Sequence, residues 1–234
     1  MKLLAVIPAR AGSKRVPGKN VRPFHGRPML GWPVQAALDS NLFHTVMVST
    51  EDEAVARIAC AEGAEVPFLR SSATADDRAG LMSVLAEVLE TWEARGEAFD
   101  AVCCLLATAA LATPARLREG LSLYRMGDWD GVYPVLAYPH PIERAMRRET
   151  DGRTTLIDPV EAETRTQDLE PAWHDAGQFY WLSPEVIRTR RSVLTARCAT
   201  LTLSEMEAQD IDTEDDWRLA EMKFVLMRDR SGSP

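Results

Sequence analysis

The residue types best suited to chemistry gather in one short segment near the amino terminus. Residues 7–20 read IPARAGSKRVPGKN and bring four cations, two glycines and a serine directly after an apolar run. Glycine lets a backbone approach a phosphate closely and expose N–H donors, while lysine and arginine offset phosphate charge. The spacing is not that of a P-loop, because Gly12 and Gly18 are one residue too far apart and Asn20 stands where Ser or Thr would ligate magnesium. A solvated basic loop has the same composition, but the position after an apolar run favours a phosphate site.

A pair of carboxylates near the carboxyl terminus is the second candidate. Asp210 and Asp212 lie two residues apart, just before a predicted helix. Side chains two apart in an extended backbone share a face, so both carboxylates can converge on one cation, and oxygen ligands suit Mg2+. The same acids could instead complement the dipole of the following helix. The pattern alone leaves both interpretations open.

A third segment, residues 165–181, combines polar and aromatic side chains in the run RTQDLEPAWHDAGQFYW. An arginine can pair with a carboxylate, and amide, imidazole and carboxylate groups can hydrogen-bond to hydroxyl and amide groups. The candidates for such contacts are Arg165, Gln167, His174, Asp175 and Gln178, with Phe179 as an apolar wall. Tyr180 and Trp181 fit either a binding wall or the core of a strand. His174 and Asp175 are predicted to be a hydrogen-bonding pair, since no nucleophilic Ser or Cys motif accompanies them.

The elements that would position these residues alternate along the chain. Apolar runs predict strands at 3–7, 45–49, 100–106, 131–136 and 178–182. Amphipathic stretches predict helices at 33–40, 51–62, 79–95 and 114–126, and a last helix after Thr213. Such alternation predicts an α/β fold, a mostly parallel sheet flanked by helices, with the loops that follow the strands along one ligand-binding edge.

The pattern changes after residue 138. Residues 139–175 are polar with weak periodicity, and Asp151-Gly152 is a hairpin turn signal between two short runs. We therefore predict an α/β domain formed by 1–138 and 176–228, an inserted arm at 139–175, and a frayed tail at 229–234.

Composition excludes several classes of partner. A net charge of -8 argues against nucleic acid or an anionic membrane surface as the partner. Pro8 and Arg10 cut the first apolar run too short for a signal peptide, and the run at 101–112 is too short to span a membrane. Four cysteines without CxxC spacing and without a secretion signal predict a reduced, cytoplasmic protein.

Residues 7–20 resemble the signature of the acidic-sugar cytidylyltransferases, a family that includes CMP-sialic acid synthetases and 3-deoxy-manno-octulosonate cytidylyltransferases; Ala11 replaces a frequent glycine. The resemblance implies a Rossmann-like nucleotidyltransferase fold and a loop that holds CTP. It implies catalytic charge stabilisation by Arg10, Lys14 and Lys19. It also implies nucleotide contacts from Ala9, Arg10, Gly12, Ser13, Asn20, Arg70 and Thr108. Leu106 and Ala110 replace a Gln and a Pro of the sialic acid enzymes, which argues against their type of base contact.

The other two segments extend the resemblance. Asp210 and Asp212 resemble the family's metal-binding aspartates, which implies Mg2+ as the cofactor, and 165–181 resembles an element of pseudaminic acid cytidylyltransferases. The implied reaction converts CTP and a nonulosonic acid to the CMP-sugar and pyrophosphate, in a homodimer whose 139–175 arm reaches across. Sialic, legionaminic and octulosonic acids remain alternative sugars. A CTP-binding module without catalysis is the alternative of another class.

Overall fold

The computed structural model of the chain describes residues 1–13, 15–75, 80–160, 163–190, 192 and 197–231. The strands are β1 (Leu3–Pro8), β2 (Pro23–Phe24), β3 (Arg27–Pro28), β4 (Thr45–Ser49), β5 (Ala101–Leu105), β6 (Gly131–Ala137), β7 (Met146–Arg148), β8 (Thr154–Leu156), β9 (Trp173–Asp175), β10 (Phe179–Leu182) and β11 (Cys198–Thr202). The α-helices are α1 (Gly31–Ser40), α2 (Glu53–Ala61), α3 (Ser72–Ala75), α4 (Leu81–Ala94), α5 (Pro114–Met126), α6 (Pro184–Arg188) and α7 (Glu214–Ser231).

The central sheet has the strand order β11-β6-β10-β5-β1-β4, with β9 added beside β6. β1 is parallel to β4 and β5, and β11 is parallel to β6, whereas β10 is antiparallel to both of its neighbours. The predicted α/β fold with a mostly parallel sheet is confirmed. Because β10 runs opposite to the parallel strands, its first residues lie at the edge where β1, β5, β6 and β11 end.

The central strands β1, β5 and β10 are buried on both faces, as their uninterrupted apolar sequences require. Side chains alternate along β10, so Phe179 and Trp181 pack into the core layer that includes α5, while Tyr180 and Leu182 pack into the layer that includes α4. Trp181 is fully buried. Of its two possible roles the structure assigns it to the core.

Local sequence explains where the helices begin. Thr113 caps α5 by accepting the Arg116 N–H at 3.3 Å, and Pro114 occupies the first turn, where a missing N–H costs nothing. Before α7, Asp216 accepts the Thr213 N–H at 2.8 Å and donates its own N–H to the Thr213 hydroxyl at 3.2 Å, so the two residues cap the helix reciprocally. The helix continues to Ser231, into the segment expected to fray.

The 139–175 segment contains the hairpin β7–β8, with Gly152 at φ 92° in the predicted turn. Its last residues form β9, which pairs with β6, so the segment rejoins the central sheet before residue 176. Among the described residues, no helix combines the length and the apolar character that crossing a membrane requires.

Candidate active site

A cleft of about 510 Å³ opens at the sheet edge where β1 and β5 end. Its described lining consists of Pro8, Arg10, Ser13, Arg15, Lys19, Asn20, Arg70, Leu81, Val84, Leu106, Ala107, Thr108 and Asp210. Four of these side chains are cationic and one is a carboxylate. A cleft this basic, in a chain with a net charge of -8, is suited to a small polyanion.

The loop after β1 is held by its own polar groups. The Asn20 side-chain amide donates to the Arg10 carbonyl oxygen at 2.9 Å, and the Ala11 N–H donates to Glu51 Oε1 at 2.8 Å. Gly18 adopts φ 63°, a conformation that glycine reaches at low cost. These contacts brace the loop against its own backbone and against Glu51.

Two small residues of this loop contribute in different ways. Ala9 is fully buried and its N–H donates to the Ser49 carbonyl oxygen at 2.9 Å, so neither its side chain nor its N–H is available to a nucleotide. A Cβ added at Gly12 would meet no protein atom within 4 Å, so glycine there leaves room for a ligand. Lys14 lies outside the described residues, and its role stays a prediction.

Two cations of the loop bracket Asp212. Arg15 Nη1 lies 2.6 Å from Asp212 Oδ2, and Lys19 Nζ lies 3.6 Å from Oδ1 while donating to the Ile211 carbonyl oxygen at 2.6 Å. These contacts join the loop to the pair of aspartates across 192 or more residues of sequence. The sequence did not predict a role for Arg15, although this residue lies within the basic segment 7–20.

Asp210 projects into the cleft with no cation within 4 Å in the described part of the chain. Desolvation raises the pKa of its carboxyl, the charge of Asp212 raises it further, and Lys19 opposes both. A divalent cation would relieve this unfavourable charge. Two carboxylates suit Mg2+, which commonly takes one or two carboxylates and completes its shell with water and substrate phosphates. That completion is required here, because the described residues contain no cluster of three potential ligands.

Arg70 and Thr108 both contribute to the wall of the cleft. The Arg70 guanidinium donates to the Ser49 carbonyl oxygen at 2.5 Å and to its hydroxyl at 3.3 Å, which fixes it at the end of β4. Burial lowers the pKa of Arg70, and the nearby Glu51 and Glu87 charges oppose this. Thr108 is 8% exposed and follows β5 by three residues along the chain. Both predicted nucleotide residues thus line the cleft.

Two further cavities continue from the cleft. One of about 320 Å³ shares Asp210 with it and is lined also by Leu136, His174, Asp175, Ala176, Glu205, Ala208, Gln209 and Lys223. The other, of about 380 Å³, shares Leu81 with the cleft and Asp175 with its neighbour, and includes Tyr180 and Arg190. We call the first of these the Asp210–His174 cavity. Two ligands could therefore meet at Asp210.

Asp175 is held on both carboxylate oxygens. The Tyr180 hydroxyl donates to Oδ2 at 2.5 Å, and the Gly177 N–H donates to Oδ1 at 2.9 Å. His174 Nδ1 lies 2.9 Å from the Asp175 carbonyl oxygen, and its ring centroid is 4.8 Å from that of Tyr138. His174 therefore contacts the backbone of Asp175, while the Asp175 carboxylate is held by Tyr180 and Gly177. The sequence allowed Tyr180 to be either a strand core residue or part of a binding wall. In the structure its hydroxyl orients Asp175.

Four predicted sugar contacts lie elsewhere. Arg165 and Gln167 are exposed on the arm and line none of the three cavities described. Gln178 is 2% exposed and its amide donates to the Glu207 carbonyl oxygen, so it supports the chain that carries Asp210. Phe179 is fully buried in the core. From the sequence, a polar or aromatic residue beside such a motif can face either a ligand or the core. In the structure Gln178 and Phe179 both face the core.

Three known proteins that resemble this chain are, by their names, enzymes that attach CMP to acidic sugars. The chain is 31% identical over 226 residues to a pseudaminic acid cytidylyltransferase of Campylobacter jejuni, and 32% identical over 233 residues to a CMP-N,N'-diacetyllegionaminic acid synthase of Legionella pneumophila. Each alignment covers 97% of both chains. A solved CMP:2-keto-3-deoxy-manno-octonic acid synthetase in complex with CTP shares the fold, with a TM-score of 0.72, 18% identity and coverage of 98% of this chain and 100% of that one. Since a cytidylyltransferase family profile also matches residues 4–214, the chain belongs to the cytidylyltransferase family.

Proposed function

We propose that this cytidylyltransferase transfers CMP from CTP to the anomeric hydroxyl of a nonulosonic acid, and that the acid is pseudaminic acid. The observation that carries the proposal is the cation-lined cleft that meets the Asp210–His174 cavity at Asp210. The cleft suits a triphosphate and the adjoining cavity suits a hydroxylated sugar. The resemblance of residues 165–181 to pseudaminic acid cytidylyltransferases, and the similarity to the Campylobacter jejuni enzyme, support the choice of sugar.

In the reaction, the sugar hydroxyl oxygen forms a bond to the α-phosphorus of CTP. The bond between that phosphorus and the bridging oxygen breaks, pyrophosphate leaves, and the hydroxyl gives its proton to solvent water. Arg10, Lys19 and Arg70 line the cleft and neutralise phosphate charge as it shifts onto the leaving group. The Ile211 carbonyl oxygen and the Asp212 carboxylate hold the Lys19 ammonium group in position at the cleft. The protein's contribution is positioning and charge stabilisation.

Asp210 and Asp212 would hold Mg2+. When bound, the ion would neutralise phosphate charge and lower the pKa of the attacking hydroxyl. Asp212 must then share its oxygens with Arg15 and Lys19, which already contact it. Asp210, with its raised pKa, gains most from a bound cation.

The arm is the proposed contact between two copies. Ile142, Met146, Ile157 and Val160 are 49%, 61%, 64% and 81% exposed, which is unfavourable for a segment that stays in water. In a homodimer these side chains would be covered, and Arg165 and Gln167 could reach the sugar cavity of the partner copy. We also place the protein in the cytoplasm, since all four cysteines are free thiols.

Legionaminic acid is the second candidate, because the Legionella pneumophila relative is as similar in identity and coverage as the Campylobacter one. Identity at this level does not separate the two sugars. A direct test of each sugar as a substrate is needed to distinguish them.

The deciding assay measures pyrophosphate release with CTP and Mg2+, with pseudaminic, legionaminic and N-acetylneuraminic acids tested separately. We expect release with pseudaminic acid alone. Asp212→Asn should reduce release by at least about 100-fold, whereas Asp215→Asn, an exposed acid on α7, should leave it unchanged. Release with another sugar refutes the assigned substrate. CTP binding without release from any sugar would identify a non-catalytic CTP-binding module.

A further inference from the structure

The short segment that carries Asp210 is held by side chains from three different parts of the fold. The Gln178 amide, just before β10, donates to the Glu207 carbonyl oxygen. Lys223 on α7 donates to the Ala208 carbonyl oxygen at 2.8 Å, and Lys19 of the basic loop donates to the Ile211 carbonyl oxygen at 2.6 Å. Residues 207–211 are therefore held at three backbone carbonyls, two before the cleft carboxylate and one after it.

Lys223 is the unusual member of this set. It is 7% exposed, and no carboxylate lies within 4 Å of its ammonium group in the described ranges. Its Nζ donates to the Ala208 carbonyl and to Gln209 Oε1 at 2.9 Å, both neutral oxygens. Burial lowers the pKa of Lys223, and the charge of Glu205 opposes this shift. A buried ammonium without a paired carboxylate is an expensive way to stabilise a helix.

The Gln209 side chain carries the effect of Lys223 to the far side of Asp210. Because Gln209 Oε1 accepts from Lys223, its Nε2 faces the Asp210 carbonyl oxygen at 3.0 Å and Asp216 Oδ1 at 3.5 Å. Asp216 Oδ2 in turn accepts the Asp212 N–H at 3.1 Å. A network that starts at Lys223 thus reaches the backbone of both cleft aspartates.

We propose that Lys223 is a positioning residue, which fixes Asp210 for a divalent cation through the Ala208 carbonyl and the Gln209 amide. The proposal rests on the proposed function, because that function assigns the cation to Asp210 and Asp212. Groups that orient a metal ligand are commonly worth a factor of about 10 to 100 in metal affinity. Lys223→Met keeps an unbranched apolar side chain that is one atom shorter, and it removes both hydrogen bonds to the segment.

The first readout does not require turnover. Mn2+ is titrated into the protein–CTP mixture and free Mn2+ is followed by electron paramagnetic resonance. Lys223→Met should raise the Kd for Mn2+ about tenfold, with CTP affinity measured without metal unchanged. Arg218→Met is the matched control, since it removes an exposed cation of the same helix, which pairs with Asp215 at 3.2 Å. It should change the Kd less than about twofold.

The second readout is steady-state kinetics. Lys223→Met should lower kcat and raise the Mg2+ concentration needed for half-maximal rate, while the KM for the sugar stays near that of the wild type. If the variant fails to fold, Gln209→Leu removes the relay with Lys223 in place, and it should raise the Mn2+ Kd about threefold. Thermal unfolding of each variant confirms that it is folded.

Other results overturn the proposal. An unchanged Mn2+ Kd with a higher KM for the sugar would make Lys223 a direct substrate contact in the Asp210–His174 cavity. An unchanged Mn2+ Kd with unchanged kinetics would make it a structural group. A wild-type protein that binds Mn2+ with CTP but releases no pyrophosphate refutes the proposed function alone, and the Mn2+ titration of Lys223→Met still tests the positioning role.

Discussion

The contribution of the Glu207–Arg116 ion pair to the free energy of unfolding can be predicted from the structure. Arg116 Nε and Nη2 donate to the two Glu207 oxygens at 2.8 and 3.1 Å, and the Ser204 N–H and hydroxyl donate to Oε2 at 3.0 and 2.8 Å. Burial alone would raise the pKa of Glu207, but these hydrogen bonds lower it from 4.5 to about 2. The folded state therefore strongly favours the ionised carboxylate.

The perturbation is Glu207→Gln, which keeps the shape and removes the charge. The lowered pKa of Glu207 corresponds to roughly 3 kcal/mol of stability near pH 7. The side chain is 22% exposed and the amide retains some hydrogen bonds, so we expect a loss of about 2 kcal/mol near pH 7. This stabilisation is complete above the unfolded-state pKa and is lost as the pH falls towards the folded-state value. The difference between wild type and variant should shrink by more than half between about pH 7 and about pH 3.

Urea unfolding at several pH values measures this difference. Glu119→Gln is the matched control, because Glu119 also pairs with Arg116, at 2.6 Å, but is 49% exposed. It should cost less than about 1 kcal/mol at any pH. A Glu207→Gln effect that does not change with pH, or one no larger than that of Glu119→Gln, would refute the reasoning.

Two further predictions concern β10. Phe179→Ala should destabilise the fold by about 3–5 kcal/mol in urea unfolding and leave the KM values of both substrates unchanged; a selective rise in the KM for the sugar would return Phe179 to the binding site. Tyr180→Phe removes the hydrogen bond to Asp175 and should raise the KM for the sugar about 5- to 20-fold with that for CTP unchanged, whereas Tyr133→Phe should change neither; equal effects of the two Tyr variants would contradict this role.

Much of the fold follows from local signals in the sequence. The bounds of β4 and α5 agree with the predicted 45–49 and 114–126, because β4 is a short apolar run and α5 begins at a Thr-Pro cap. The orientation of β10 does not follow, since four consecutive buried residues contain no signal for direction. It depends on where the chain re-enters the sheet after a long polar excursion.

The candidate site divides in the same way. The basic loop is recognisable because its residues are adjacent, and the structure places its described members around one cleft. Lys223 is not recognisable, since a lone lysine on an amphipathic helix normally faces water. Only the packing of α7 against residues 208–209 buries it. The same holds for Gln178, whose amide could equally face a ligand until the backbone of Glu207 is placed beside it.

The reversed direction of β10 has a consequence for how substrate choice could change. β6 ends and β10 begins at the same edge of the sheet, so the chain between them leaves and returns beside the ligands without crossing the core. Residues 139–171 could be exchanged or lengthened while β9, Gln178 and the loop after β1 keep their surroundings. On the proposed function, the part of the chain that selects the sugar could change as a unit while the loop that binds CTP is retained.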